Sequence, residues 1–186
     1  MSKTTLLLAL AALPLAAQDK LAAQLDEVAR IATVMVDGDV CQRIVTKQSL
    51  AEMFAENPRD KWGASDNYTV DHNAYILTKK TLQRLARLAP GAVDVNLWMP
   101  ITQKPGKMHV VIRNQNEMSQ FWPWGALFQD MPATWKPVLE QGKRLTVREK
   151  PGWISVLAPV YNSLGDAVGL VEVVTNTSGD THQNVK

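Results

Sequence analysis

The 186-residue sequence is poor in cysteine and histidine, with one cysteine and three histidines. A single cysteine, Cys41, cannot form an internal disulfide, and it excludes CxxC redox chemistry and CxxCH haem attachment. The histidines are too dispersed for a zinc site, and no complete calcium loop is present. We therefore predict no metal and no cofactor. Cys41 is interpreted as a small buried hydrophobic residue, and a disulfide between two chains or covalent capture of another molecule are the alternatives.

The sequence also lacks a strong net charge and the common catalytic motifs. Its formal net charge is +2, which is too small to indicate nucleic-acid binding, because that needs a concentrated basic surface. No G-x-S-x-G, P-loop or G-x-G-x-x-G motif occurs, and no base can be identified for Cys41 or for any serine. We predict that the protein is not an enzyme and does not bind nucleic acid.

Long apolar runs are absent except at the amino terminus. Residues 1–17 have one lysine, then a run of Leu and Ala, then small residues, which is typical of a secretory signal peptide. We predict cleavage after Ala17 and a secreted or periplasmic protein. Leu15 is larger than the residue usual at that place, so an uncleaved membrane anchor is the alternative. Residues 18–176 suit one domain, and the polar tail 177–186 is predicted to be flexible.

The spacing of apolar residues predicts helices first and strands afterwards. From Asp19 to about Met53 the helical spacing predicts one long helix, bent at residues 37–39. After a loop at 56–71, Asp71 is predicted to cap a second helix. Five strands follow, and a long excursion from 116 to 142, with a short helix predicted at about 135–141, separates the second from the third. The strands are "VDVNLWMPI", "MHVVIRN", "KRLTVREK", "WISVLAPVYN" and "AVGLVEVVTN".

Each predicted strand divides into two faces, because side chains alternate along a strand. One face is apolar and contains Leu97, Met99, Val110, Ile112, Leu145, Val147, Ile154, Val156, Ala158, Val160, Val171 and Val173. The other is polar and aromatic and contains Asn96, Trp98, His109, Arg113, Arg144, Thr146, Arg148, Ser155, Tyr161 and Glu172. This pattern predicts an α+β fold with an antiparallel sheet packed by one face on the long helix. The excursion, with its "QFWPWG" stretch, is available to cover the other face.

The mixed face and its cover predict a binding site for a small organic molecule. Trp98, Trp122, Trp124 and Tyr161 are the candidate aromatic walls. Arg113 is a candidate partner for a carboxylate, Glu172 for an amine, and His109 is a further polar candidate. Each has a structural alternative: a core plug for the tryptophans, a surface position for Arg113 and a satisfied strand residue for His109. For Glu172 the alternative is a buried salt bridge with Arg144 or Arg148.

The final strand pair, "GWISVLAPVYNSLGDAVGLVEVVTN", carries a family resemblance. Pro159-Val160-Tyr161, the turn at Gly165 and the Val168-Gly169 start of the last strand resemble the end of Cache domains, the extracytoplasmic PAS-like sensor modules of bacteria. The element order resembles that family's plan over about residues 20–176. The resemblance implies a PAS-like five-stranded antiparallel sheet with a long N-terminal helix packed on one face. It also implies a pocket on the other face for an amino acid, carboxylate, amine or purine.

Two functions are predicted. Residues 18–176 are expected to form a single Cache-like sensor or accessory domain that binds a small metabolite and acts with a separate partner, such as a membrane-bound receptor or kinase. Family members usually feed an output domain, whereas only a short polar tail follows Asn176 here. The alternative is a structural or protein-interaction component of the cell envelope, with a homodimer or partner surface on the N-terminal helix at Leu25 and Val28.

Overall fold

The computed structural model of the chain describes residues 3–54, 69–114, 118–122 and 128–177, with side chains described from residue 17 onward. Within these ranges the fold is α+β. The helices are α1 (Lys3–Met35), α2 (Gly38–Ile44), α3 (Lys47–Phe54), α4 (His72–Ala86) and α5 (Lys136–Gln141). The strands are β1 (Asp94–Pro100), β2 (Lys107–Ile112), β3 (Gln129–Asp130), β4 (Leu145–Val147), β5 (Trp153–Tyr161) and β6 (Ala167–Asn176). The predicted loop at 56–71 and the predicted tail lie almost entirely outside the described residues.

The single helix predicted from Asp19 to Met53 is divided into three helices, so that prediction is wrong. Asp37 has extended backbone angles, and its carboxylate accepts hydrogen bonds from the backbone N–H of Asp39 at 2.9 Å and of Val40 at 3.1 Å. Because the backbone is extended at this N-cap, α1 ends before Asp37 and α2 starts after it as a separate helix. Thr46 acts in the same way before α3, where its hydroxyl accepts the N–H of Ser49 at 3.0 Å. The predicted bend at 37–39 is therefore a full break.

The predictions for the second helix and for the short helix in the excursion are confirmed. The Asp71 carboxylate accepts the N–H of Ala74 at 3.1 Å and caps α4. A 3-10 turn at Ala133–Trp135 leads into α5, where the short helix was expected. The start of α4 could be located because an N-cap residue leaves a local sequence pattern. In α5, Pro137 lies in the first turn, where proline is favoured.

The sheet has six antiparallel strands in the order β3-β2-β1-β6-β5-β4. The additional strand beyond the five expected is β3, which pairs Asp130 with Lys107 and Gln129 with Met108. An ion pair of 2.7 Å between the side chains of Lys107 and Asp130 accompanies it. Because β6 pairs with both β1 and β5, it lies in the middle of the sheet.

The two faces of the sheet are here called the helix face and the strap face. The helix face contacts α1, α2 and α4 and includes Leu97, Val156 and Val171, all buried. The strap face is the opposite side and includes Trp98, Leu157, Leu170 and Glu172. Both sides of the central strands are therefore covered, and β5 and β6 are buried along almost their whole length.

The predicted assignment of β2 residues to the two faces is wrong for Val110 and His109, which lie on the amino-terminal side of a bulge. A register shift between Leu97 and Trp98 pairs Trp98 with Val110 and Met99 with His109. The bulge adds one residue to β2, and one added residue exchanges the faces of every residue after it. Val110 therefore lies on the strap face, and His109 lies on the helix face beside Met99.

The predicted division of β4 is also reversed. Leu145 pairs with Leu157, and Val147 pairs with Ser155, so both apolar residues of β4 lie on the strap face. They were assigned to the helix face because they are apolar, but the strap face has an apolar cluster of its own, which they join. Arg144 and Arg148, which flank β4, consequently project toward α1.

The apolar stripe of α1 is used by the protein's own sheet. Leu25 is fully buried and Val28 is 3% exposed, and α1 contacts β5 and β6. These two residues, which were the expected partner surface, are thus part of the core. Gly38 allows α2 to start against the end of β5, since a Cβ there would collide with the carbonyl of Tyr161. Among the described residues, no helix combines the length and the apolar character needed to span a bilayer.

Leu25→Ala is expected to lower the free energy of unfolding by about 3 kcal/mol, because it opens a cavity between α1 and the sheet. Val34→Ala, at the exposed end of the same helix, is the control and is expected to change it by less than about 0.5 kcal/mol. Urea denaturation followed by circular dichroism measures both. Equal effects of the two substitutions would contradict the packing of α1 on the sheet.

Candidate functional site

The carboxylate of Glu172 lies in the middle of the strap face. Its strand, β6, is central, and Glu172 is opposite Asn96 of β1 and Leu157 of β5. The side chain is fully buried. A carboxylate in such a place is stable only when hydrogen bonds replace the water that it has lost.

Four neutral side chains surround this carboxylate. The indole N–H of Trp98 donates to Oε2 at 3.0 Å, and the hydroxyl of Ser119 donates to the same oxygen at 2.8 Å. The hydroxyl of Ser155 donates to Oε1 at 2.8 Å, and the amide of Asn96 lies 3.5 Å from Oε2. Burial raises the pKa of Glu172 above its ordinary value, although the hydrogen bonds from these four neighbours oppose the rise.

The alternative of a salt bridge between Glu172 and an arginine of β4 is wrong. Arg144 pairs with Asp26 at 2.8 Å, and Arg148 pairs with Asp19 at 2.9 Å; both aspartates belong to α1. The reason is the register of β4, which directs both arginines to the helix side of the sheet. Among the described residues, Glu172 is therefore satisfied by neutral donors rather than by an opposite charge.

Residues 118–122, here called the strap, lie over Glu172. Polar groups fix the first residue of the strap to β1: the N–H of Met118 donates to the Asp94 carboxylate at 3.1 Å, and the Asn96 amide donates to the Met118 carbonyl at 2.6 Å. Asn96 also accepts the N–H of Asn114 at 3.0 Å. The β1 side chains thus define where the strap begins.

Gln120 fixes the middle of the strap to β4 and β5. Its amide donates to the hydroxyl of Ser155 at 2.7 Å and to the carbonyl of Val147 at 3.2 Å. Its side-chain oxygen accepts the N–H of Glu149 at 3.0 Å. Since Ser155 also donates to Glu172, Gln120 and Glu172 belong to one continuous hydrogen-bond network, and such networks define a single arrangement of the groups that they join.

Aromatic rings fill the rest of the strap face. The ring centroids of Trp98 and Trp135 are 5.1 Å apart at 77°, and those of Phe121 and Trp135 are 4.9 Å apart at 90°. These are edge-to-face contacts between buried rings. The guanidinium of Arg113 lies 4.3 Å from the centroid of the Trp122 ring, and Trp122 is 7% exposed. The described part of the "QFWPWG" stretch therefore acts as a plug, while Trp124 lies outside the described residues.

The candidate residues from the sequence are only partly brought together. Trp98 and Glu172 are hydrogen-bonded, and Arg113 stacks on Trp122. Tyr161 is half-buried at the end of β5, where its hydroxyl donates to the carbonyl of Gly142 at 3.4 Å. His109 is on the opposite face. Five further residues belong to this site and are absent from the predicted site residues: Asn96, Ser119, Gln120, Ser155 and Trp135. Of these, Asn96 and Ser155 lie on the predicted mixed face.

A cleft opens on the helix face beside His109. It has a volume of about 290 Å³ and lies between α2, α3 and the turn that joins β1 to β2. Burial lowers the pKa of His109 to about 4. Cys41 is fully buried, and burial raises the pKa of its thiol to about 12, which leaves it without the thiolate that disulfide exchange or covalent capture needs.

Comparisons with protein families, with curated proteins and with solved structures find no match to this chain. In the described ranges, no group of three or more His, Cys, Asp or Glu side chains is arranged to hold a metal ion. The chemistry available on the described part of the strap face is that of two buried carboxylates, Glu172 and Asp94, the guanidinium of Arg113, neutral hydrogen-bond donors and aromatic rings.

The raised pKa of Glu172 predicts a pH dependence of stability. An unfolded Glu carboxyl ionises near its ordinary pKa of 4.5. Below that pH the Glu172 carboxyl is protonated in both the folded and the unfolded protein. Above it, the carboxyl of the unfolded protein loses its proton first, so the free energy of unfolding falls as the pH rises. The fall ends when the pH passes the pKa of Glu172 in the folded protein. Glu172→Gln is expected to remove this fall.

Urea denaturation at intervals from pH 4 to pH 8 measures the effect as the difference between the two proteins. Glu149→Gln, at an exposed glutamate next to the same network, is the matched control for loss of a carboxyl group. A difference between wild type and Glu172→Gln that stays constant over this range would overturn the prediction.

Proposed function

We propose that the protein is an exported small-molecule-binding sensor or accessory module, and that its ligand is an organic amine such as an amino acid. The observation that carries this proposal is the Glu172 carboxylate, which is fully buried and has only neutral donors among the described residues. A ligand ammonium group would give it an opposite charge.

The choice of an amine follows from electrostatics. Burial of an ionised carboxylate costs several kcal/mol even after the surroundings relax. A hydrogen bond from an ammonium to a carboxylate adds the attraction between two opposite charges, which is strong in a site without water. A ligand ammonium at hydrogen-bond distance from Glu172 would therefore stabilise the carboxylate more than the neutral hydroxyl of Ser119 does. A buried group with a shifted pKa is also a candidate functional residue, because function is the common reason to retain such a cost.

The ligand reaches the carboxylate when the strap moves away. Ser119 is the strap's contact with Glu172, and Met118 and Gln120 bind the sheet through hydrogen bonds that water can replace. Opening would also separate the ring of Phe121 from that of Trp135. In the open arrangement, Trp98 and Trp135 would line the space around the ammonium. Because the strap covers the site in the unliganded protein, the apparent affinity is lower than the intrinsic affinity by the fraction of open molecules.

The arrangement of strands and helices supports a PAS-like sensor domain over residues 18–176. Without the two-residue β3, the strands run in the order second, first, fifth, fourth and third, and α1 covers one face. The resemblance to Cache domains adds the expectation that the ligand lies on the face away from the long helix. Export rests on residues 1–17, and a separate receptor or kinase would receive the information.

Binding of amines is tested by the melting temperature of the purified protein. A panel of amino acids and simple amines is compared with the corresponding carboxylates that lack the amino group, each at several concentrations. Amines are expected to raise the melting temperature by mass action, and the effect is expected to grow with pH as Glu172 ionises. Glu172→Gln is expected to abolish the rise.

Ser119→Ala separates binding from strap closure. It removes one strap contact, so it is expected to lower stability while leaving the response to amines equal or larger. Ser163→Ala, in the exposed turn between β5 and β6, is the matched control. If no amine stabilises the wild type, or if Glu172→Gln responds as the wild type does, the proposal fails.

The alternative function, a protein-interaction component of the envelope, is favoured by a different observation. Val34 is 78% exposed and Met35 is 58% exposed at the end of α1. If this end of the helix is a dimer or partner surface, Val34→Asp is expected to shift the protein to a smaller species in size-exclusion chromatography with light scattering. A monomeric wild type that copurifies with no other protein contradicts this alternative.

A further inference from the structure

The cleft beside His109 is a preformed cavity on the side of the sheet away from Glu172. Its volume is about 290 Å³, near the lower end of the range of ~300–1,000 Å³ that small-molecule sites occupy. Its walls come from the helical layer and from the end of β1, so it does not depend on the strap. A ligand here would contact residues that the proposed amine site does not use.

His109 is the polar group that faces this cleft. It is 4% exposed, it lines the cavity, and within the described part of the chain no group hydrogen-bonds to its imidazole. Its pKa of about 4 keeps the ring neutral at physiological pH, so one nitrogen donates and the other accepts. Both ring nitrogens are therefore available to a ligand that enters the cleft.

The other lining residues are uncharged. Among the described residues at the cleft, the apolar walls include Val45, Leu50 and Met99. Further polar contacts are available from the side chains of Gln42, Thr102 and Gln103. None of the described side chains that line the cleft is charged, so a charged ligand would lose its hydration here without meeting an opposite charge in the lining. A neutral ligand with an apolar body and one or two polar atoms matches these walls.

The turn between β1 and β2 is held in place beside the cleft. The N–H of Ile101 donates to the carbonyl of Lys107 at 2.9 Å, and the N–H of Lys104 donates to the carbonyl of Ile101 at 3.0 Å. The ammonium of Lys104 lies 4.5 Å from the ring centroids of both Phe54 and Phe128. These contacts join the turn to the end of α3, and a rigid site loses less entropy when it binds a ligand.

We propose that this cleft is a second binding site, which takes an uncharged ring compound the size of one or two fused rings and hydrogen-bonds its N–H, O–H or carbonyl group to His109. The ring occupies the apolar space between Leu50 and Met99. The amides at the rim supply the remaining polar contacts. The site is independent of the amine proposed for Glu172.

Binding is measured by ligand-detected NMR and isothermal titration calorimetry with indole, phenol and nicotinamide as neutral probes. Benzoate and benzylamine are the charged probes of similar size. At least one neutral probe is expected to bind, and both charged probes are expected to bind at least tenfold more weakly. His109→Phe keeps a ring of similar size without hydrogen-bonding atoms and is expected to weaken the neutral probe about tenfold or more.

Two further variants keep the test decisive. Leu50→Trp leaves His109 in place but fills the cleft from its rim, and it is expected to abolish binding even if His109→Phe fails to fold. Glu172→Gln is expected to bind the neutral probes as the wild type does, which separates this site from the amine site. The proposal is overturned if no neutral probe binds, if charged probes bind equally, or if binding survives both cleft substitutions.

Discussion

The burial of one carboxylate determines the arrangement of the strap face. Glu172 joins three strands and the strap, because its two oxygens accept from Trp98 of β1, Ser155 of β5 and Ser119 of the strap. Without the carboxylate, these three buried donors would lose the acceptor that they share. A network of this kind defines the position of its members more narrowly than apolar packing does, since hydrogen bonds depend on direction as well as distance.

The two faces of the sheet use different physical means to cover the same central strands. On the helix face, aliphatic side chains of α1 and α4 pack on aliphatic side chains of the strands, and burial of apolar area supplies the stabilisation. On the strap face, hydrogen bonds position a short segment, and edge-to-face rings fill the remaining volume. The first arrangement tolerates small movements of its elements. The second depends on exact placement of its groups, which the proposed recognition of a ligand on this face would need.

Local patterns in the sequence were sufficient to predict the cap at Asp71, the position of α5 and the approximate positions of five of the six strands. The break before α2 was underestimated, because the same Asp-Gly-Asp stretch suits either a bend or a cap. The bulge in β2 cannot be read from alternation, since one extra residue leaves the composition unchanged while it moves His109 to the other face. The contact between Ser119 and Glu172 spans 53 residues and depends on strand pairing, so no local pattern predicts it.

The two ion pairs between α1 and the flanks of β4 also define a direction. Asp19 and Asp26 are separated by about 10 Å along a helix axis, and Arg144 and Arg148 by about 13 Å along an extended chain. The later aspartate meets the earlier arginine, so α1 runs antiparallel to β4. Exposed pairs contribute little to stability, yet two of them at matched spacing distinguish one axial position of the helix from a position shifted by one turn. The two pairs therefore fix the axial position of α1 on the sheet, which the aliphatic contacts beneath them define less sharply.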